Sequence, residues 1–357
     1  MESTSGLPLS WGTARDTGRV EPCIVTGRVW RGGVAQADQV DLADLSELAA
    51  DTEQLVWFDL VGPEHEHLQR LADELGLDPH AIEDAVAHAE RPKATRHASH
   101  TFVTAYATSF DEGRDVDRHA SRLVVHKVSA FVLPRVLITV RPDASFPMDR
   151  VVERWDDTGD LLSGRHAIGA LLHGLLDVVV DAHFATIEEL DDAIEDIENL
   201  LFDAGVSTGD VQRRVYRMRK ELVQVRRFVL PMREVVNTVL RHRHDVGLDN
   251  GDPLAGYYDD LYDHVLRAAE WTESLRDMVT TVFETNLSLQ DAHLNRVMKK
   301  LAGWAAIIAV PTAVTGWYGQ NLPYPGFESS FGLWQSILLV VGASVVLYVV
   351  FRRKDWL

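Results

Sequence analysis

The amino-acid sequence predicts an α+β domain, a mixed sheet flanked by helices, followed by long stalk helices and a two-helix transmembrane hairpin at the C-terminus. Three observations carry this prediction. Strand-like apolar runs alternate with helical segments over residues 1–160, continuous helical patterns of opposite charge fill residues 161–300, and two charge-free apolar runs occupy residues 301–357.

In the first segment the strands are expected at Cys23 to Trp30, Leu55 to Val61, Thr101 to Phe110, Arg122 to Leu133 and Arg135 to Arg141, all rich in β-branched and aromatic residues. Between them "PEHEHLQRLADELGL" and "DPHAIEDAVAHA" read as helices, so the segment builds a sheet with helices packed on it. From Leu161 to Ala204 the pattern is continuously helical and ends on an intensely acidic face, "TIEELDDAIEDIENLLFDAG". "GVSTGD" supplies a turn, and "VQRRVYRMRKELVQVRRFVLPMREV" returns as a basic helix, so an antiparallel hairpin sets basic against acidic charge. A third helical pattern starts near Leu254 and runs without Pro or Gly after Gly256 into the first apolar run, a helix of about sixty residues that can carry motion to the membrane.

Leu301 to Tyr318 has no ionisable group except the tyrosine hydroxyl, and 18 residues rising about 1.5 Å each reach about 27 Å, close to one bilayer core. Leu333 to Phe351 is again free of charge and long enough to cross. The spans are therefore placed at about 301–318 and 333–351, with an outer loop at 319–332. Lys299 and Lys300 precede the first span, Arg352, Arg353 and Lys354 follow the second, and the loop holds only Glu328, which puts both ends in the cytoplasm. Trp304, Trp317, Trp334 and Trp356 fall near the expected interfaces.

On the first span and the turn before it, Asn295, Met298, Ala302, Ala305, Ala309, Thr312, Gly316 and Gly319 recur at steps of three or four and align on one side of a helix. Such a small, weakly polar stripe suits either close helix packing or the lining of a pore, and periodicity does not separate the two. Pro311 sits mid-span and predicts a local kink.

Composition narrows the function. Of 357 residues, 35 are Lys or Arg and 54 are Asp or Glu, giving a net charge of -19 that would repel a phosphate backbone and argues against nucleic acid as a partner. The single cysteine, Cys23, makes no internal disulfide, and the opening residues lack a basic segment followed by an apolar core, so the N-terminal bulk is expected in the cytoplasm. The histidine-rich "EHEH" and "RHRHD" lack the His-Glu-x-x-His spacing, and neither a Ser-His-Asp elbow nor a glycine-rich phosphate loop is visible. An enzyme, an organic cofactor and an ATP-driven pump are accordingly not expected.

Tyr318-Gly319-Gln320-Asn321 closes the first span, "IEDAVAHAERPK" (Ile82 to Lys93), "DLYDH" (Asp260 to His264) and "NRVMKKL" (Asn295 to Leu301) precede it, and the chain ends in "RRKDWL". In order and placement these resemble the CorA family of divalent-cation transporters over most of the chain. The resemblance implies a homopentamer in the cell membrane whose first spans surround a pore. Asn321, with Gly319 and Gln320, would form the selectivity ring, suited to hydrogen bonding with the hydration shell that magnesium surrenders reluctantly. Asn295, Met298, Leu301, Thr312 and Gly316 match the family's pore-lining positions, with Met298 and Leu301 as the hydrophobic constriction; Leu301 falls slightly off the stripe. Asp84 and Asp260, with Glu83 beside them, match acids that bind regulatory magnesium between subunits. Gln320 stands where the family usually has methionine, and "LPYPGFESSFG" replaces a Met-Pro-Glu segment, leaving Glu328 as the loop's attracting carboxylate. The resemblance thus implies transport of magnesium, with cobalt and nickel as further ions; a zinc transporter of the same superfamily and a membrane-tethered scaffold are the alternatives.

Overall fold

The computed structural model describes residues 24–37, 45–87, 90–111, 121–163, 167–202, 207–242, 253–320, 323, 326–327 and 329–357. Seven strands form one sheet in the order β2-β1-β3-β7-β6-β5-β4, comprising β1 (Ile24–Arg31), β2 (Val34–Ala37), β3 (Gln54–Val61), β4 (Lys93–Arg96), β5 (Thr101–Phe110), β6 (Leu123–Val132) and β7 (Val136–Arg141). Only β3 and β7 pair in parallel, so the sheet is mixed.

Alternation along the strands divides the apolar side chains between two faces. Val56, Phe58 and Leu60 of β3, with Phe102 and Ile138, pack on α1 (Leu45–Ala50), α2 (His65–Leu75) and α3 (Pro79–Val86). Leu55 and Trp57, with Val103, Ala105 and Leu137, face a second core shared with α4 (Met148–Asp157), α5 (Ala167–Leu201), α6 (Thr208–Arg241) and the start of α7 (Pro253–Tyr318). The five expected strands are present, Cys23 alone lying outside the described residues. The short strands β2 and β4 and the helices α1 and α4 are additions, the strands holding four residues each and α1 six.

Local signals explain the helix ends on the first face. Asp78 caps α3 by accepting from the His80 amide at 2.9 Å, with Pro79 as the first helical residue. Gly76 ends α2 at φ 66°, a left-handed conformation in which a side chain would be strained.

Packing divides the chain into two units, residues 1–200 with 213–279 and residues 201–212 with 280–357. In the first, α5 is apolar enough to cross a membrane, but 78% of its most apolar stretch is buried, so it is a core helix. Trp155 lies fully buried against it, donating from Nε1 to the Leu171 carbonyl at 2.9 Å. In the second unit the corresponding stretches of α7 and α8 (Ser330–Arg353) are 11% and 0% buried. Surfaces that apolar and that exposed require lipid or further copies of the chain to cover them. The termination of α8 is built from "RRKDWL": Asp355 adopts φ 54°, the Trp356 amide donates to the Phe351 carbonyl at 2.9 Å, and the two rings stack at 5.3 Å. Phe351 and Leu357 reach Gly303, tying the end of α8 to the beginning of the apolar part of α7.

Candidate functional site

α7 carries the stripe from Asn295 to Gly316. Asn295, Met298, Leu301, Ala305, Ala309, Thr312 and Gly316 are all exposed in the single chain, Met298 and Leu301 at 63% and 64%. A Cβ at Gly316 would meet nothing within 4 Å, so the helix presents an open groove there rather than an intrachain contact. Pro311 is accommodated inside the helix, and the neighbouring threonines bond backward along it: Thr312 Oγ1 donates to the Ile308 carbonyl at 3.3 Å, Thr315 Oγ1 to the Pro311 carbonyl at 2.8 Å. Hydroxyls so engaged leave the stripe weakly polar and without charge.

α7 stops at Tyr318, and the next two residues fold over its end. The Gly319 amide donates to the Thr315 carbonyl at 2.8 Å and that of Gln320 to Trp317 at 3.3 Å. A Cβ at residue 319 would sit 3.0 Å from the Thr315 oxygen, a tight contact that glycine avoids. Asn321 and Glu328 lie outside the described residues.

The acids are placed on separate helices of the first unit. Glu83 is exposed on α3. Its neighbour Asp84 meets Lys93 Nζ at 2.7 Å, and the same ammonium reaches Glu90 at 3.0 Å. Burial alone would lower the Lys93 pKa, but Asp84 and Glu90 outweigh it and hold the ammonium above its usual range. Asp260, on the second turn of α7, is largely exposed and lies 3.7 Å from His264. Asp84 and Asp260 thus each have a partner within the chain, and among the described residues no group of three or more His, Cys, Asp or Glu side chains is arranged to hold a metal ion. Lys93 as the partner of Asp84 was not anticipated; the visible signal was the Asp-x5-Glu-x2-Lys spacing inside "IEDAVAHAERPK".

The pieces define a class: an α+β domain joined through a long helix to an apolar hairpin, with a charge-free stripe on the first span and carboxylates in the folded domain. Comparison with known proteins gives the family. Residues 52–353 match the model described as "CorA-like Mg2+ transporter protein", and the chain belongs to that family. It is similar to the cobalt/magnesium transport protein CorA of Thermotoga maritima, 26% identical over 310 residues, covering 86% of this chain and 85% of the relative. Among solved structures it resembles the complete CorA magnesium transporter of Methanocaldococcus jannaschii at TM-score 0.72 and 20% identity, covering 94% of this chain and 99% of that one. The full-length CmaX protein matches at TM-score 0.70 and 21% identity, covering 96% and 100%. These likenesses are to ion transporters, in keeping with the expectation from the sequence that the chain is not an enzyme.

Proposed function

We propose that the chain is a magnesium channel of the cell membrane, also passing cobalt and nickel, formed by a homopentamer with the α7 stripes around the pore. The observation that carries this reading is the stripe itself: mostly small side chains with a hydroxyl, free of charge and exposed in the single chain, on a span whose other faces are apolar. One two-helix hairpin cannot enclose an aqueous path, so several copies must surround it. The names of the curated relatives favour magnesium and cobalt over zinc.

In this reading Asn321 supplies a ring of amide oxygens at the outer mouth, with Gly319 and Gln320 turning the backbone into it and Glu328 attracting cations from outside. Carbonyl dipoles hold a hydrated ion without stripping it, as the slow dehydration of magnesium demands. Met298 and Leu301 close the cytoplasmic end by excluding water. Lys299, Lys300, Arg352, Arg353 and Lys354 keep both termini in the cytoplasm. Asp84 and Asp260, assisted by Glu83, bind regulatory magnesium between neighbouring copies, and loss of the ion leaves like charges that loosen the closed state.

The test is flux. Purified protein in liposomes, with magnesium entry followed by an ion-sensitive dye under an inside-negative potential, should transport as wild type and fail as Asn321→Ala. Zinc entry without magnesium would reassign the ion. No flux of either from a folded oligomer, or full magnesium flux from Asn321→Ala, would refute the channel or its filter respectively.

A further inference from the structure

The first unit holds a cavity of about 610 Å³ between α3, the sheet and α6, with no part in the ion path. Its size is that of a small-molecule site. One wall is aromatic: Tyr106 and Phe228 face each other at 4.8 Å between ring centroids, with Val86, Val125 and Pro231 continuing the apolar surface. The tyrosine hydroxyl donates to the Glu90 carbonyl at 2.5 Å.

The charged lining is the reverse of the chain as a whole. In a protein of net charge -19, the cavity collects Arg91, Lys127, Arg141 and Arg227 against Glu90 and Asp143. Two of the cations are already committed. Arg141 forms a buried pair with Asp59, and Lys127 Nζ donates to the Asp84, Ala85 and Ala87 carbonyls at 2.8, 2.9 and 2.6 Å, closing the C-terminal end of α3. Of the acids, Glu90 is held by Lys93, and one oxygen of Asp143 accepts from the Ser145 amide at 2.9 Å. Arg91 and Arg227 are different: both are exposed at the cavity, and neither makes an ion pair within the described residues. Two uncommitted guanidinium groups beside an aromatic wall form a site for a polyanion attached to a flat ring, because guanidinium binds phosphate oxygens in pairs while the ring buries its faces.

We propose that this cavity binds a nucleotide, its base against Tyr106 and Phe228 and its phosphates on Arg91 and Arg227. The sequence has no glycine-rich phosphate loop, and this arrangement needs none, since side chains rather than backbone amides hold the phosphates. The occupant also touches Ala85, Val86 and Ala87, the end of the helix that carries Glu83 and Asp84, so its binding bears directly on the position of those acids.

Equilibrium dialysis or calorimetry on the full-length protein in detergent, in EDTA so that magnesium neither bridges nor competes, tests this with ATP, AMP, adenosine and tripolyphosphate. ATP and AMP should bind saturably at one per chain, with adenosine and tripolyphosphate each about tenfold weaker than ATP or worse. The double variant Arg91→Ala/Arg227→Ala should weaken ATP by about tenfold or more, as loss of charge-assisted bonds to phosphate predicts, with an unchanged melting temperature because both side chains are on the surface. No saturable ATP binding up to about 1 mM overturns the proposal. So does tripolyphosphate binding as tightly as ATP, which means surface charge alone, or a double variant that binds ATP like wild type.

Discussion

Gly174 tests how closely the first long helix, α5, is fitted against α4. A Cβ built there lies 2.7 Å from both Cδ1 and Nε1 of Trp155, where ordinary contact begins at 3.4 Å, so the indole must withdraw by roughly 0.7 Å. It has nowhere to go. The ring is fully buried, packed edge-on against Trp57 at 5.0 Å and Trp30 at 6.0 Å, and tethered by its bond to the Leu171 carbonyl. Overpacking costs about 1–3 kcal/mol and a weakened buried hydrogen bond about 1 more, while alanine returns up to about 1 kcal/mol of helix propensity. Gly174→Ala should therefore lose about 2 kcal/mol, lowering the melting temperature by several degrees in circular dichroism of the full-length protein in detergent. Gly256→Ala is the counterpart: nothing lies within 4 Å of its Cβ, only the propensity gain applies, and the melting temperature should hold or rise. A Gly174→Ala protein as stable as wild type would show that α5 does not sit this close to α4.

Asp59→Ala should be among the most damaging substitutions, about 3–5 kcal/mol in chemical denaturation, because it leaves the Arg141 guanidinium buried without its carboxylate and removes the nearer acceptor of Thr139 Oγ1. Burial pushes the His183 imidazole from 6.5 down to about 4, and its Nε2 lies 2.7 Å from the Tyr106 carbonyl, which fits a neutral ring donating to that oxygen. Because the unfolded chain takes up this proton more readily than the folded one, the stability it confers is complete above pH 6.5 and is lost as pH falls from 6.5 towards 4, by about 3 kcal/mol in all. Melting temperatures measured between pH 7.5 and 4.5 should show this decline, and His183→Gln should flatten it. Lys93→Met removes the ammonium that competes for Asp84, so magnesium protection from proteolysis should appear at a concentration a few-fold lower; protection at an unchanged or higher concentration would show that Asp84 does not bind the ion.

What the sequence disclosed follows the range over which each signal acts. Period-two alternation and long apolar runs are local, so β5 was legible residue for residue, and α7 from near Leu254 to Tyr318. β2 and β4 were not, since four residues at a sheet edge carry too little alternation to stand out from a loop. Hydrophobicity alone also fails to separate α5 from α8: both are apolar enough to span a bilayer, and only the sheet packed over α5 decides that it does not. The candidate pathway was legible because its stripe repeats at helical spacing on one element. The cavity was not, because Arg91, Tyr106, Lys127 and Arg227 are separated by up to 136 positions and meet only through the order of the strands and the return of α6. The same reasoning explains why the pairing of Asp84 with Lys93 was not legible: Lys93 lies beyond the end of α3, and no helical spacing joins them. A carboxylate held by a lysine is a different regulatory ligand from a bare one. In the regulation proposed above, an incoming magnesium ion would have to displace an ammonium already held by two carboxylates, so the Asp84 site should fill at a higher ion concentration than its charge alone suggests, and Lys93 would set the level at which the domain responds.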